Sequence, residues 1–162
     1  MTTITFITGA NKGLGYESAR RLTEMGQTVI LGARDPERGT AAAGRLGVRF
    51  VRIDVTDDAS VAAAAADVEA HEGRVDVLVN NAGIIGSYAK AGDITGDDAA
   101  LVFETNVFSV VRVTHAFLPL LRRSADPAVI NVSSGMGSQA LATEPPAAGT
   151  GRYIDRFGPV PW

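Results

Sequence analysis

Residues 3–15, TITFITGANKGLG, set a short apolar, β-branched run directly against three glycines and then a helical repeat. The run reads as a strand ending at Gly9. From Leu14 onward, Leu14, Ala19, Leu22 and Met25 recur at helical spacing, and Gly26 supplies the stop. A strand that becomes a helix within so few residues needs a backbone that side chains would block. Gly9 permits the tight turn, Gly13 lets the backbone approach a pyrophosphate, and Gly15 allows the helix to pack closely on the strand. The helix then offers unpaired N–H groups and the positive end of its dipole to an anion. The spacing is Gly-x-x-x-Gly-x-Gly, not Gly-x-Gly-x-x-Gly, and no Gly-Lys-Ser/Thr follows, so the turn is not a P-loop. Three glycines in one turn are also compatible with a purely structural role.

The alternation continues. TVILGA (28–33), VRFVRI (48–53), VDVLVN (75–80) and AVINVS (128–133) read as further strands. Helices are expected over 36–45, with Pro36 at the first position, over about 57–71, and over about 97–122 as one long helix or a pair. The strands are continuous apolar runs, as in a parallel sheet covered on both faces. The expected fold class is therefore α/β, a doubly wound parallel sheet with right-handed crossovers. A chain of 162 residues has room for one such domain. After Ser134 the periodicity lapses, and four of the seven prolines fall between 145 and 161. The expected organisation is a domain over 1–138 and an irregular tail over 139–162.

Composition excludes other classes. A net charge of −3 carries no basic excess for nucleic acid, and no cysteine is present for a disulfide or a thiolate metal site. His71 and His115 fall in separate helical stretches, so no metal site is expected. The N-terminus lacks the basic region and apolar core of a signal peptide. The apolar run from Asn106 to Leu121 is broken by Arg112 and His115 and reads as too short to cross a bilayer. A cytoplasmic location without a membrane partner is the expectation.

Taken together, TGANKGLG, DVTD, NNAG, ETNVFS and INVSS, in this order and spacing, resemble the short-chain dehydrogenase/reductase family. The likeness leans toward the carbonyl-reductase-like branch, whose glycine turn also carries Asn-Lys, and runs from about residue 3 to 138. It implies a Rossmann fold with strand order 3-2-1-4-5 and a dinucleotide held at the glycine turn by Gly9, Asn11, Lys12, Gly13, Leu14 and Gly15. It also implies that Asp54 accepts a hydrogen bond from the adenine amino group, with the Val55 amide beside it. Asn80, Asn81, Ala82 and Gly83 would form the turn after the fourth strand, lining the adenosine ribose and steadying the sheet. Read alone, Asp54 is equally a turn residue ahead of a helix, and Asn81-Ala82-Gly83 a simple turn.

Charge points to the form of the cofactor. A site selecting NAD places a carboxylate at the end of the second strand for the ribose 2′-OH. Here that position is Ala33, followed by Arg34. Lys12 and Arg34 would both face a 2′-phosphate, which arginine binds through two parallel hydrogen bonds. NADP(H) is therefore expected over NAD(H). Two alternatives stand: Asp35 serves as the ribose acid if the strand ends later, or the two cations are ordinary surface residues.

For the chemistry, the resemblance implies four groups acting on a small carbonyl or alcohol. Ser134 would polarise the carbonyl and Asn106 would order a proton-relay water. A tyrosine would move the proton, assisted by a lysine four residues later that lowers its pKa from about 10. About a dozen residues after Ser134 the sequence has EPPAAGTG instead of Tyr-x-x-x-Lys. Tyr153 stands about six residues late, position 157 is Phe, and no lysine follows Lys90. Arg156 is the nearest cation, and its broad planar fork is a poor substitute for an ammonium. The expectation is a C-terminally truncated NADP(H)-dependent oxidoreductase, inactive as the chain stands. The alternative is a non-catalytic nucleotide-binding remnant that associates with itself or a full-length relative. AVINVS would be left as an uncovered edge, and the helix carrying Val107, Phe108, Val111, Phe117 and Leu121 is apolar nearly all round. Both features predict a homo-oligomer or an aggregation-prone chain.

Overall fold

A computed structural model describes residues 2–86, 93–133, 154–155 and 158–159. Five strands form one parallel sheet: β1 (Ile4–Ile7), β2 (Thr28–Ala33), β3 (Arg49–Arg52), β4 (Val77–Asn80) and β5 (Ala128–Asn131). Their order is β3-β2-β1-β4-β5, so the sheet is doubly wound as expected. Helices α1 (Gly13–Glu24), α2 (Pro36–Leu46) and α3 (Asp58–Glu72) connect the first four strands. Between β4 and β5 lie α4 (Gly96–Phe103), a π-helical turn (Glu104–Phe108) and α5 (Ser109–Leu121). The chain divides into two units, Met1–Asn131 and Val132–Trp162. In the second, β6 (Ile154–Asp155) pairs antiparallel with β7 (Gly158–Pro159).

Helix ends follow the residues that can satisfy orphan backbone groups. Asp35 caps α2 by accepting from the Arg38 amide at 3.0 Å, with Pro36 at the first helical position. Asp57 caps α3 through the Ser60 amide at 2.7 Å, and Thr95 with Asp98 forms a capping box on α4. Gly47 and Gly73 end α2 and α3 in the left-handed conformation.

Strand alternation sends side chains to two faces. Ile4, Phe6, Ile30, Val51, Ile53 and Leu78 pack under α3 and α5, against Val61, Val68, Val113, Phe117 and Leu120. Ile7, Val29, Leu31 and Val79 pack with Ala19 of α1 and Ala42 and Ala43 of α2. Phe6 and Phe117 meet with ring centroids 4.5 Å apart, both fully buried. Each such side chain contributes about 1.5–3 kcal/mol by leaving water.

Helix begins at Gly96, close to the expected 97, so the apolar run from Asn106 is part of a longer element. The helical run Gly96–Leu121 is 26 residues and, unlike the run read as too short, is long and apolar enough by length and composition to cross a bilayer. In this fold its inner face, with Val113, Phe117, Leu120 and Leu121, is buried against the sheet. Its outer side leaves Leu101, Phe103, Val107, Phe108 and Val111 exposed. Along β5, Val129 and Ile130 are also exposed.

Asp76, just before β4, joins three segments. One carboxylate oxygen accepts from the Ile4 amide at 2.8 Å; the other accepts from the Ser124 hydroxyl at 2.6 Å and Arg74 Nε at 3.1 Å. Burial pushes its pKa up, but hydrogen bonds from Ser124, Ile4 and Arg74 outweigh that and hold the carboxyl below its ordinary value. A carboxyl lowered in the folded state stabilises the fold above its unfolded pKa, near 3.9, and the contribution fades as pH falls through the lower folded value. Stability measured by urea denaturation is therefore expected to decline more steeply below about pH 4 in the parent than in Asp76→Asn. Near neutral pH that variant should be less stable by about 1–3 kcal/mol. Identical acid slopes in the two proteins would remove Asp76 as the source.

Candidate functional site

The carboxyl ends of parallel strands, at the point where strand order reverses, leave a crevice that no helix fills. Here the reversal falls between β1 and β4, which pair directly although α1, β2, α2, β3 and α3 separate them in sequence. A cleft of about 650 Å³ opens there. Its lining includes Gly9, Asn11, Lys12, Gly13, Leu14 and Gly15 from the glycine turn, Arg34 after β2, Asp54 and Val55 after β3, and Asn81, Ala82 and Gly83 after β4. Ile53, Thr56, Ile84, Leu101 and Thr105 complete it, and sequence reasoning singled out none of these five.

The turns after β1 and β4 are locked together. Thr8, at the end of β1 and buried, accepts through its hydroxyl from the amides of Asn81 and Ala82, both at 3.0 Å. Asn81 Nδ2 donates back to the carbonyls of Thr8 at 2.9 Å and Gly9 at 3.2 Å. Gly9 has a φ of +65°, and a Cβ there would lie 2.8 Å from Ala82 Cα. A Cβ on Gly15 would lie 2.3 Å from Asn81 Nδ2 and 2.9 Å from the Gly9 carbonyl oxygen. Gly13, at φ +59°, would meet nothing within 4 Å, so its requirement is conformational and its backbone faces open space.

The start of α1 is left uncapped. Lys12 is extended there, its side chain makes no cap hydrogen bond, and no acidic residue occupies the first turn. Arg34 is largely exposed, its Nε 3.9 Å from Asp54 Oδ2. The other Asp54 oxygen accepts from the Thr56 amide at 3.0 Å and the Thr56 hydroxyl at 2.7 Å. Burial would raise the Asp54 pKa, but Thr56 and the charges of Arg34 and Arg52 overcome it, so the carboxylate stays ionised.

Placement bears on two further residues, Asp35 and Asn80. The second strand ends at Ala33, and Asp35 spends its carboxylate on the start of α2, outside the cleft lining. Asn80, expected beside Asn81, is buried and faces elsewhere: its Nδ2 donates to Asn131 Oδ1 at 2.9 Å and Thr114 Oγ1 at 3.1 Å. Successive side chains leave a strand on opposite faces, and Asn80 turns toward β5 and α5 while Asn81 turns toward the glycine turn.

Asn106 lies in the π-helical turn at the rim. Its Oδ1 accepts from the Ile84 amide at 2.9 Å and its Nδ2 donates to the Ile84 carbonyl at 2.8 Å. The amide therefore pins the segment following Gly83. Ser134 and Tyr153 lie outside the described residues.

Comparison with known proteins agrees with this geometry. The family model described as short chain dehydrogenase matches residues 3–148. A short-chain dehydrogenase/reductase of Aspergillus fumigatus is 42% identical over 145 residues, covering 83% of this chain and 56% of its own length. Menthone neomenthol reductase from Mentha piperita superposes with a TM-score of 0.79 at 32% identity, over 88% of this chain and 64% of that one. A short chain dehydrogenase from Shigella flexneri complexed with NADP gives a TM-score of 0.80 at 26% identity, over 85% of this chain and 61% of that one. The chain spans between half and two thirds of the length of the curated relatives it matches.

The Gly15 contact can be tested directly. Asn81 Nδ2 is held by two hydrogen bonds and has no free direction to yield. Gly15→Ala is therefore expected to cost about 1–3 kcal/mol in denaturant unfolding, as overpacking does. Gly44→Ala, in α2 with open space around it, should be neutral or stabilising by up to about 1 kcal/mol. Equal stability of Gly15→Ala and the parent would show that the close approach does not fix the turn.

Proposed function

The chain belongs to the short chain dehydrogenase family, and from that premise we propose that it binds NADP(H) in preference to NAD(H), at a site of the kind that interconverts a small carbonyl compound and its alcohol, and that these 162 residues alone do not complete that reaction. The family binds a nicotinamide dinucleotide, so the preference is the new step. The observation that carries it is the charge at the end of β2. Ala33 stands where an NAD site needs a carboxylate, Arg34 follows, Lys12 flanks the same cleft, and Asp35 is committed to capping α2. The NADP complex of the Shigella flexneri relative is consistent with this choice.

Each residue then has a task. The uncapped start of α1, with the backbone of Gly13, Leu14 and Gly15, holds the pyrophosphate. Arg34 turns its fork from Asp54 to the 2′-phosphate, and Lys12 adds a second positive charge. Asp54, kept ionised, accepts from the adenine amino group with the Val55 amide beside it. Asn81, Ala82 and Gly83 line the ribose. Bound NADPH supplies the hydride; the protein must supply the proton and polarise the carbonyl. Asn106 orders the rim and a relay water, and Ser134 polarises the carbonyl. Tyr153 is the remaining candidate donor, but position 157 is Phe, and no tyrosine of the 162 residues is followed by lysine four positions on. In the family's chemistry a lysine assists the tyrosine, and here that assistance is missing from the sequence.

In titrations of the 162-residue chain, NADPH is expected to bind more tightly than NADH. Arg34→Ala should erode that difference by about 1–3 kcal/mol, the scale of hydrogen bonds to charged groups. Equal affinities, or a preference for NADH, would overturn the assignment.

Turnover gives a separate outcome. Loss of a positioned acid costs about 10²–10⁴-fold, so the NADPH-loaded chain is expected to show no carbonyl-dependent oxidation above background with aldehydes, ketones or quinones. Robust activity in the parent that Tyr153→Phe abolishes would instead make Tyr153 the proton donor and this chain an active enzyme.

A further inference from the structure

Arg112 interrupts the apolar run of α5, and its three guanidinium nitrogens reach three different segments. Nη1 donates to the Val55 carbonyl at 2.9 Å and Nη2 to Glu104 Oε1 at 2.7 Å, while Nε bonds the Asp58 carboxylate. Val55 belongs to the turn after β3 that lines the cleft. Glu104 opens the π-helical turn that carries Thr105, also in the cleft lining, and Asn106. Asp58 is the first residue of α3. The three legs are unequal. Asp58 is 87% exposed, and an ion pair so placed contributes little. Arg112 itself is only 21% exposed and Glu104 38%, so its bonds to a main-chain carbonyl and to Glu104 are partly shielded from water.

We propose that Arg112 is a positioning residue, coupling the Asp54–Thr56 turn to the π-helical turn so that both walls of the cleft are set for the adenosine half of a dinucleotide. Arg112 is not itself among the residues that line the cleft; it acts through Val55 and Glu104. From the far side, Asp54 and Thr56 are tied to each other, and the Asp54 amide donates to Ser60 Oγ at 2.9 Å. The guanidinium is the tie that reaches this turn from α5. On the other wall, Glu104 sits two residues before Asn106, whose amide holds Ile84. Releasing the guanidinium frees both walls together, which neither Thr56 nor Asn106 alone would do. The affinity part of this inference rests on the dinucleotide site proposed above; the coupling part does not.

The test compares the 162-residue parent with Arg112→Met, which keeps the aliphatic stem, and Arg112→Lys, whose compact ammonium cannot span three acceptors. Each is titrated with NADPH and with 2′,5′-ADP, and each is followed by amide hydrogen exchange. Arg112→Met is expected to weaken both probes by roughly tenfold or more, the effect of about 1.4 kcal/mol, with Arg112→Lys between it and the parent. Exchange should accelerate together at 54–56 and 104–106 while β1 keeps its protection. Parent-like binding by Arg112→Met, acceleration in only one of the two segments, or acceleration throughout the sheet would overturn the proposal. The last of these would mark a merely structural arginine. If the parent binds neither probe, the dinucleotide assignment fails on its own account. Exchange then decides: paired acceleration upholds the coupling, and any other pattern overturns it.

Discussion

The hydrogen bonds between Thr8 and Asn81 are the joint on which the site depends. In this sheet β1 and β4 are neighbours in space but separated by most of the doubly wound half of the chain. Their ends therefore meet only if something defines how the two turns abut. Thr8 does so with one hydroxyl accepting two consecutive amides, and Asn81 with one amide group donating to two consecutive carbonyls. Buried polar groups left unpaired cost about 1–3 kcal/mol each, so the four bonds stand or fall as a set. The glycines follow from this joint. Gly9 and Gly15 are places where a side chain would collide with the other turn, and Gly13 is where none would.

The site is also shaped by where polar side chains are already committed. Asp54 has one oxygen engaged by Thr56, which leaves the other facing Arg34 at a distance too long for a hydrogen bond. A loosely opposed pair of this kind, with the arginine exposed, costs little to separate. Asn80 and Asn81 divide the labour at the end of β4. The first ties β4 to β5 and α5 through Asn131 and Thr114, while the second faces the glycine turn. The strand's period of two enforces that division.

Much of this was legible in the sequence because it rests on periodicity and on glycine. The five strands fall within the apolar runs, the order 3-2-1-4-5 matches what the family resemblance implies, and α2 begins where Pro36 suggests. Twelve of the thirteen residues put forward for a cofactor, all but Asn80, lie around one cleft, although their roles remain part of the proposed function. What could not be read depends on hydrogen bonds that composition does not encode. ETNVF has the character of helix throughout, so nothing in it announces the π-helical turn that directs Asn106 toward Ile84. Thr8 is one β-branched residue among several in β1, and only its partner at position 81 distinguishes it. Arg112 reads as a fault in an apolar run, because its three acceptors lie on segments distant in sequence.

The charge presented at the end of β2 is in the end a consequence of helix capping. ARDPE places three charged side chains within four residues, and the sequence alone allows either Arg34 or Asp35 to face the cleft. Pro36 removes the ambiguity. It has no N–H to donate and a φ already suited to the first helical position, so α2 starts there and Asp35 becomes its N-cap. An N-cap carboxylate satisfies an orphan amide and lies at the positive end of the helix dipole, two gains it would forfeit by turning to a ribose hydroxyl. Asp35 takes the Arg38 amide and stays within 3.4 Å of the Arg38 guanidinium. Arg34 is then the charged side chain of that segment which lines the cleft. The sign of the charge offered to a ligand at this corner is thus set by a proline two residues away that does not itself line the cleft.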